Sequence, residues 1–263
     1  MRSRRSLRRR IIAAAAGLAV IAAGAAAVLS LRTEPSAPVA LSEPEGPYAI
    51  GAAGDNAEVL VFGDSWTYGT AASERENGYA YRLAGIGGWH VTVAGEPASG
   101  YLREGVWGRT FGERIDALDG AIDPDLVVLQ GSINDRKLPA RGYRDAVDEA
   151  WDAIADKFPD AEVLILGPAP QVLPVEETTA RIDRDLAELA DERGWPYVSP
   201  IAEEWITQDN YADVIDTSDT GNDHPSDAGH RYLAEQVAAA ARPLVAPVPV
   251  EAVTEQPQPA VGG

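Results

Sequence analysis

Few side chains in this 263-residue chain could do chemistry. There is no cysteine, which removes a catalytic thiol, a thiolate zinc site, a disulfide framework and a lipid-bearing cysteine. Of the three histidines, His90 opens an apolar run and His230 falls in a helical pattern. His224 instead stands in a loop, before Pro225 and beside Asp223. An imidazole there has the near-neutral pKa of a general base, and Asp223 or Asp219 could hold its tautomer. The matching hydroxyl is Ser65 in Phe62-Gly63-Asp64-Ser65-Trp66-Thr67-Tyr68-Gly69, where Gly63 permits a tight turn. Two more loops could supply donors to a developing oxyanion. One is Gly95-Glu96-Pro97-Ala98-Ser99-Gly100-Tyr101, where glycine lets a backbone N–H approach a ligand; the other is Gln130-Gly131-Ser132-Ile133-Asn134-Asp135, where Asn134 carries an uncharged amide. Taken singly, each cluster also reads as an ordinary turn.

The elements that must position these loops are legible as an alternation. Short apolar runs at Glu58–Phe62, His90–Ala94, Asp125–Gln130, Glu162–Leu166 and Trp195–Val198 predict strands. Helical spacing follows around Tyr79–Ile86, Thr110–Ile122, Gly142–Phe158, Glu176–Arg193 and Ser226–Ala241. Runs such as Leu126-Val127-Val128-Leu129 are apolar on both faces, as interior strands of a helix-covered parallel sheet must be. The expectation is an α/β fold: a single three-layer, flavodoxin-like domain, with a five-stranded parallel sheet and helices on both faces. Ligands of such sheets sit beyond the carboxyl ends of the strands, and the Ser65, Gly100 and Asn134 loops each follow a strand.

Charge divides the chain. Residues 1–32 hold seven arginines and no acid, so the remaining 231 residues carry 15 basic and 41 acidic side chains, a net of −26. An acidic body of this kind excludes nucleic acid as a partner. Met1 to Arg10 followed by the uncharged stretch Ile11 to Leu31 reads as a signal peptide or transmembrane signal anchor, with the rest of the chain extracytoplasmic: secreted, or held to the membrane by residues 11–31. Ala25-Ala26-Ala27 offers a cleavage site, and Ser3-Arg4-Arg5-Ser6-Leu7 resembles a twin-arginine signal. Residues 33–57 read as a disordered linker, 58–242 as the folded domain and 243–263 as a disordered Pro-rich tail. Asp216, Ser218, Thr220, Gly221 and Asp227 faintly match a calcium loop, but hydroxyls replace two carboxylates and the final Glu is Asp; the stretch reads as a solvated acidic loop, with no metal.

In this order and at these strand ends, Gly63-Asp64-Ser65, Gly100, Gly131-Ser132-Ile133-Asn134-Asp135 and His224-Pro225 resemble the motif blocks of the SGNH hydrolases, also called the GDSL esterase/lipase superfamily. The resemblance covers most of residues 58–242. It implies a serine esterase with Ser65 as nucleophile, His224 as base, an oxyanion hole of the Ser65 and Gly100 N–H groups with the Asn134 amide, and no cofactor. Trp66 stands where leucine is usual, Gly95 where the second block often has Asn, and Gly221 where the family's triad acid normally sits, three residues before the histidine. Asp223 or alternatively Asp219 could supply that acid, or a backbone carbonyl could orient the imidazole. With short connections and no lid-like insertion, short acyl groups such as acetyl on a carbohydrate or small alcohol are the expected substrates, met as a monomer. Trp66, Tyr68, Tyr101 and Trp107 could stack on a sugar or pack the loops. The rival readings are an extracytoplasmic O-acyltransferase and an inactive binding module of the same fold.

Overall fold

The structure is a computed structural model, and it describes residues 46–50 and 56–245. The expected N-terminal signal (residues 1–32) and all but the first residues of the expected tail lie outside them. Strands β2 (Glu58–Gly63), β3 (His90–Gly95), β4 (Leu126–Gln130), β5 (Glu162–Leu166) and β6 (Tyr197–Val198) run parallel in the order β3-β2-β4-β5-β6. They alternate with helices α1 (Ser65–Tyr68), α2 (Tyr79–Gly87), α3 (Phe111–Asp116), α4 (Tyr143–Lys157), α5 (Glu177–Arg193) and, near the carboxyl end, α6 (Tyr211–Val214) and α7 (Asp227–Val245).

The alternating faces of the strands build two cores. Val59, Val61, Val91, Val93, Val128 and Leu164 pack with Leu83 of α2 and Leu233 and Val237 of α7. Leu60, Phe62, Val127, Leu129, Val163 and Ile165 face the other way, onto Ile115 of α3, Val147, Trp151 and Ile154 of α4 and Leu186 of α5. This is the three-layer arrangement the doubly apolar runs predict.

Register is what makes the fold useful. Gly63 pairs with Gly95, Phe62 with Leu129 and Gln130 with Leu166, so β2 to β5 end level and the motif loops emerge along one edge. β2 lies between β3 and β4, and the crevice between two strands whose connections leave in opposite directions is where such sheets hold ligands.

Four differences from the sequence reading are structural. Tyr48–Ile50 (β1), inside the stretch expected to be linker, pairs antiparallel with β3 and makes the sheet six-stranded. The helix expected over Thr110–Ile122 is only Phe111–Asp116, started by a Thr110–Glu113 capping box. The last helix runs through Pro243 to Val245, past the expected boundary at 242. Finally, the histidine block is no plain loop: Ile215–Asp216 (β7) and His224–Pro225 (β8) form a small antiparallel pair, with His224 opposite Asp216.

Candidate active site

Ser65 opens α1 directly after β2. Asp64 caps that helix, its Oδ1 accepting from the Trp66 N–H at 3.0 Å. Behind it, the Gln130 Oε1 at the end of β4 accepts from the Asp64 N–H at 3.2 Å and the Thr67 hydroxyl at 2.9 Å. Thr67 Oγ1 also lies 2.8 Å from the Tyr79 hydroxyl. Gly63 is demanded by this knot, since a Cβ there would lie 2.3 Å from Thr67 Oγ1 and 2.5 Å from Gln130 Oε1. Asp64 is fully buried, and the loss of hydration pushes its carboxyl up to about 6.

His224 reaches Ser65 from the far side, with Nε2 2.9 Å from the Ser65 Oγ. Its Nδ1 lies 2.9 Å from the Asn222 carbonyl oxygen and 3.1 Å from that of Gly221. Only a protonated Nδ1 can face two carbonyls, so Nε2 of the neutral ring is left as the acceptor for the serine hydroxyl. Burial lowers the imidazole below its ordinary 6.5, opposed by the two carbonyl bonds and by Asp223. Burial prevails, so the ring is neutral near pH 7, while the two carbonyls fix its tautomer and aim Nε2 at Ser65.

The two acids considered for His224 do not bond to it. Asp219 is exposed; Asp223 is half-buried, in a left-handed conformation at φ 58°, with its own N–H donated to the Asp216 carbonyl at 3.0 Å. The carbonyl alternative is the arrangement observed. Gly221 is glycine for a steric reason as well: a Cβ there would lie 2.2 Å from Asp216 Cγ and 2.4 Å from the Asp216 carbonyl oxygen. An aspartate at the family's usual position has no room in this loop.

The oxyanion donors also need correction. The Gly100 N–H is committed to the Arg103 carbonyl at 2.8 Å and so is not presented to Ser65. Gly100 serves close packing instead, for a Cβ there would lie 2.5 Å from an Asp135 carboxylate oxygen and 2.6 Å from Ser132 Oγ. Asn134 donates one amide hydrogen to the Ser99 carbonyl at 3.0 Å, which fixes the side chain and leaves its second N–H for a ligand. The Ser65 N–H, at the start of α1, meets no acceptor among the described residues.

Two buried groups escaped the sequence reading. Asp135 accepts from the backbone N–H groups of Tyr101, Leu102 and Arg103 at 2.8–3.1 Å, clamping the second loop onto the third. Arg114, stacked 4.3 Å from the Phe62 ring centre, donates to the Gly63 carbonyl, the Ala94 carbonyl and the Ser99 hydroxyl and pairs with buried Glu96 at 3.2 Å. Gly95, where the family's second block often has asparagine, is a packing position: a Cβ would lie 2.3 Å from the Tyr68 nitrogen. The one sequence signal for either role was the Gly131-Ser132-Ile133-Asn134-Asp135 block, whose last residue is Asp135.

The remaining candidates divide. Trp66 and Tyr101 are core residues, Tyr101 accepting from Trp151 Nε1 at 2.8 Å. Tyr68 and Trp107 are half-buried and meet edge to face at 5.9 Å. His230 is structural: Nδ1 accepts from the Tyr79 N–H at 3.2 Å, Nε2 donates to the Thr70 carbonyl at 3.0 Å, and burial lowers its pKa to about 4. Asp227 is engaged by the N–H and hydroxyl of Ser73, and Asp216 by Ser218; no cluster of acids and histidines fit for a metal forms among the described residues.

A serine hydroxyl bonded to a neutral imidazole at the carboxyl edge of a parallel sheet defines a serine hydrolase of the doubly wound α/β class. Residues 61–232 match the model of the GDSL-like Lipase/Acylhydrolase family. The chain belongs to that family, and it is by class a serine ester hydrolase. It is 30% identical over 191 residues to "GDSL lipase Rv0518" of Mycobacterium tuberculosis (strain ATCC 25618 / H37Rv), covering 68% of this chain and 79% of that protein. Among solved structures it is similar to a carbohydrate acetylesterase family member from Sinorhizobium meliloti (TM-score 0.57, 18% identity, covering 72% of this chain and 99% of the other). It is also similar to the inhibitor-bound aryl esterase of M. smegmatis (TM-score 0.55, 18% identity, 72% and 99% covered).

Proposed function

We propose that this protein is an extracytoplasmic esterase that removes short acyl groups, acetyl above all, from a carbohydrate or small alcohol. The observation that carries the reading is the 2.9 Å contact between Ser65 Oγ and His224 Nε2. His224 takes the Ser65 proton as the hydroxyl attacks the ester carbonyl, and the tetrahedral intermediate collapses to an acyl-enzyme with loss of the alcohol. Water, deprotonated by the same imidazole, then releases the acid. The oxyanion is stabilised by the Ser65 N–H and the second Asn134 amide hydrogen, with the Gly221 and Asn222 carbonyls steadying the imidazolium in place of a triad acid.

Export rests on the arginine-rich head and the uncharged stretch after it; among the described residues no helix is long and apolar enough to cross a membrane. The acetyl-sugar preference is supported by the carbohydrate acetylesterases among the similar folds.

The test is aryl acetate hydrolysis by Ser65→Ala, expected to fall at least about 10³-fold with the fold intact. Asn134→Ala should lose about 10²–10³ in kcat. Activity of Ser65→Ala equal to the parent's would sink the assignment.

A further inference from the structure

A cavity of about 260 Å³, whose walls include neither Ser65 nor His224, opens where β1 meets the carboxyl end of β3. Tyr48, Tyr68, Arg75, Tyr81, Trp107 and Arg109 line it, over a floor that includes the Glu96–Arg114 pair. Tyr68 ends the four-residue helix that Ser65 begins, so the cavity adjoins the nucleophile's own element.

Among these side chains, Arg75 is placed differently from the arginines of the domain's ion pairs. Arg136, Arg144, Arg181, Arg184 and Arg193 each sit within 4 Å of a carboxylate. Arg75 pairs with none among the described residues; it donates through Nη2 to the Tyr68 hydroxyl at 2.7 Å and lies 4.8 Å from that ring's centre. In the floor, Glu96 and Arg114 pair with each other. A guanidinium held in place by an aromatic ring, with donors left over, is a preorganised carboxylate receptor. Much of the remaining wall is aromatic, with Val93, Ala117 and Leu118 adding aliphatic surface, and the volume is below the ~300–1,000 Å³ of pockets for drug-sized ligands. That combination suits one ring with an acidic substituent.

We infer that this cavity binds a carboxylate-bearing sugar unit, its carboxylate on Arg75 and its ring against Tyr68 and Trp107, so that the ester substrate is an acidic saccharide. The substrate part of this inference rests on the esterase reading of Ser65.

Calorimetric titration of the Ser65→Ala protein, which cannot turn substrate over, with glucuronate, glucose and benzoate tests it. Saturable glucuronate binding is expected, with glucose weaker by about 10-fold or more, and with Arg75→Gln weakening glucuronate by about 10-fold while Arg75→Lys retains part of it. In the Ser65 protein, Arg75→Gln should leave hydrolysis of a small neutral aryl acetate unchanged, which also shows that the variant folds. Absence of glucuronate binding, binding indifferent to Arg75→Gln, or preference for glucose or benzoate would overturn the inference. A protein that binds glucuronate as described but hydrolyses no ester would overturn only the esterase reading.

Discussion

Ser65 and His224 meet across 2.9 Å, yet the segments that carry them are secured by opposite means. The turn from Gly63 to Tyr68 is buried and tied by side chains from distant parts of the chain, Gln130 from β4 and Tyr79 from α2. The segment from Thr217 to Asp223 is largely exposed and holds itself by short-range bonds: Ser218 N–H to Asp216 Oδ1, Gly221 N–H to Ser218 Oγ, Asn222 N–H to the Ser218 carbonyl. Asn222 and Asp223 are both left-handed, at φ 48° and 58°, a conformation that asparagine and aspartate accept better than most residues. The nucleophile is thus positioned by packing across the sheet, whereas the base depends on the backbone path of one loop. Carbonyls can replace a carboxylate here only while that path is kept.

The strongest test of the contrast is Gly63→Ala. Both atoms that crowd the new Cβ are buried, so overpacking should cost about 3 kcal/mol, a fall in Tm of roughly 6–12 °C by thermal unfolding. An unchanged Tm would show that the serine side is not packed as described. Next comes Gly221→Asp, which restores the residue the family usually has. It should lower kcat/KM for an aryl acetate at least about 10-fold, because the side chain collides with Asp216 and shifts both carbonyls from the imidazole. A gain in rate would mean that the loop opens freely to accept a triad acid.

A subtler measure is the acid limb of the pH profile. The base acts as neutral imidazole, so activity is lost as pH falls through the His224 pKa, and burial sets that pKa below 6.5. The midpoint in kcat/KM should therefore lie under 6.5; a midpoint above 7 would indicate a carboxylate holding the charged ring. The smallest effect is expected from Asp223→Asn, since asparagine keeps the left-handed turn. The rate should change by no more than about 3-fold, and the acid limb should move lower, because the Asp223 charge favours the imidazolium. A loss above 10-fold would make Asp223 the acid after all.

Much of the fold could be read from local pattern because interior strands such as Leu126–Gln130 are apolar on both faces and the helices alternate with them. The Ser65, Asn134 and His224 loops followed from their places after strands or before the last helix. What could not be read was set by contacts between distant residues. The Gly100 N–H points away from Ser65 because Asp135 draws in the three residues after it, and no local feature of residues 95–101 encodes that. Arg114 and Glu96 look like surface charges until β2, β3 and the Ser99 loop close over them. Tyr48–Ile50 lies among Pro and Gly residues, and it is held as a strand by distant partners: β3 along its backbone, Tyr81 against the Tyr48 ring and the core against Ile50.

That short strand also decides where the working unit begins. A parallel sheet whose outermost strand were β3 would offer a row of unpaired N–H and C=O groups, a template for joining another chain edge to edge. Tyr48, Ala49 and Ile50 occupy that row antiparallel, opposite Val93, Thr92 and Val91. A version trimmed to residue 56 would keep Ser65, Asn134 and His224 and still be compromised as a soluble protein, because its sheet would be left adhesive on one side. Tyr48–Ile50 are therefore a guard against self-association.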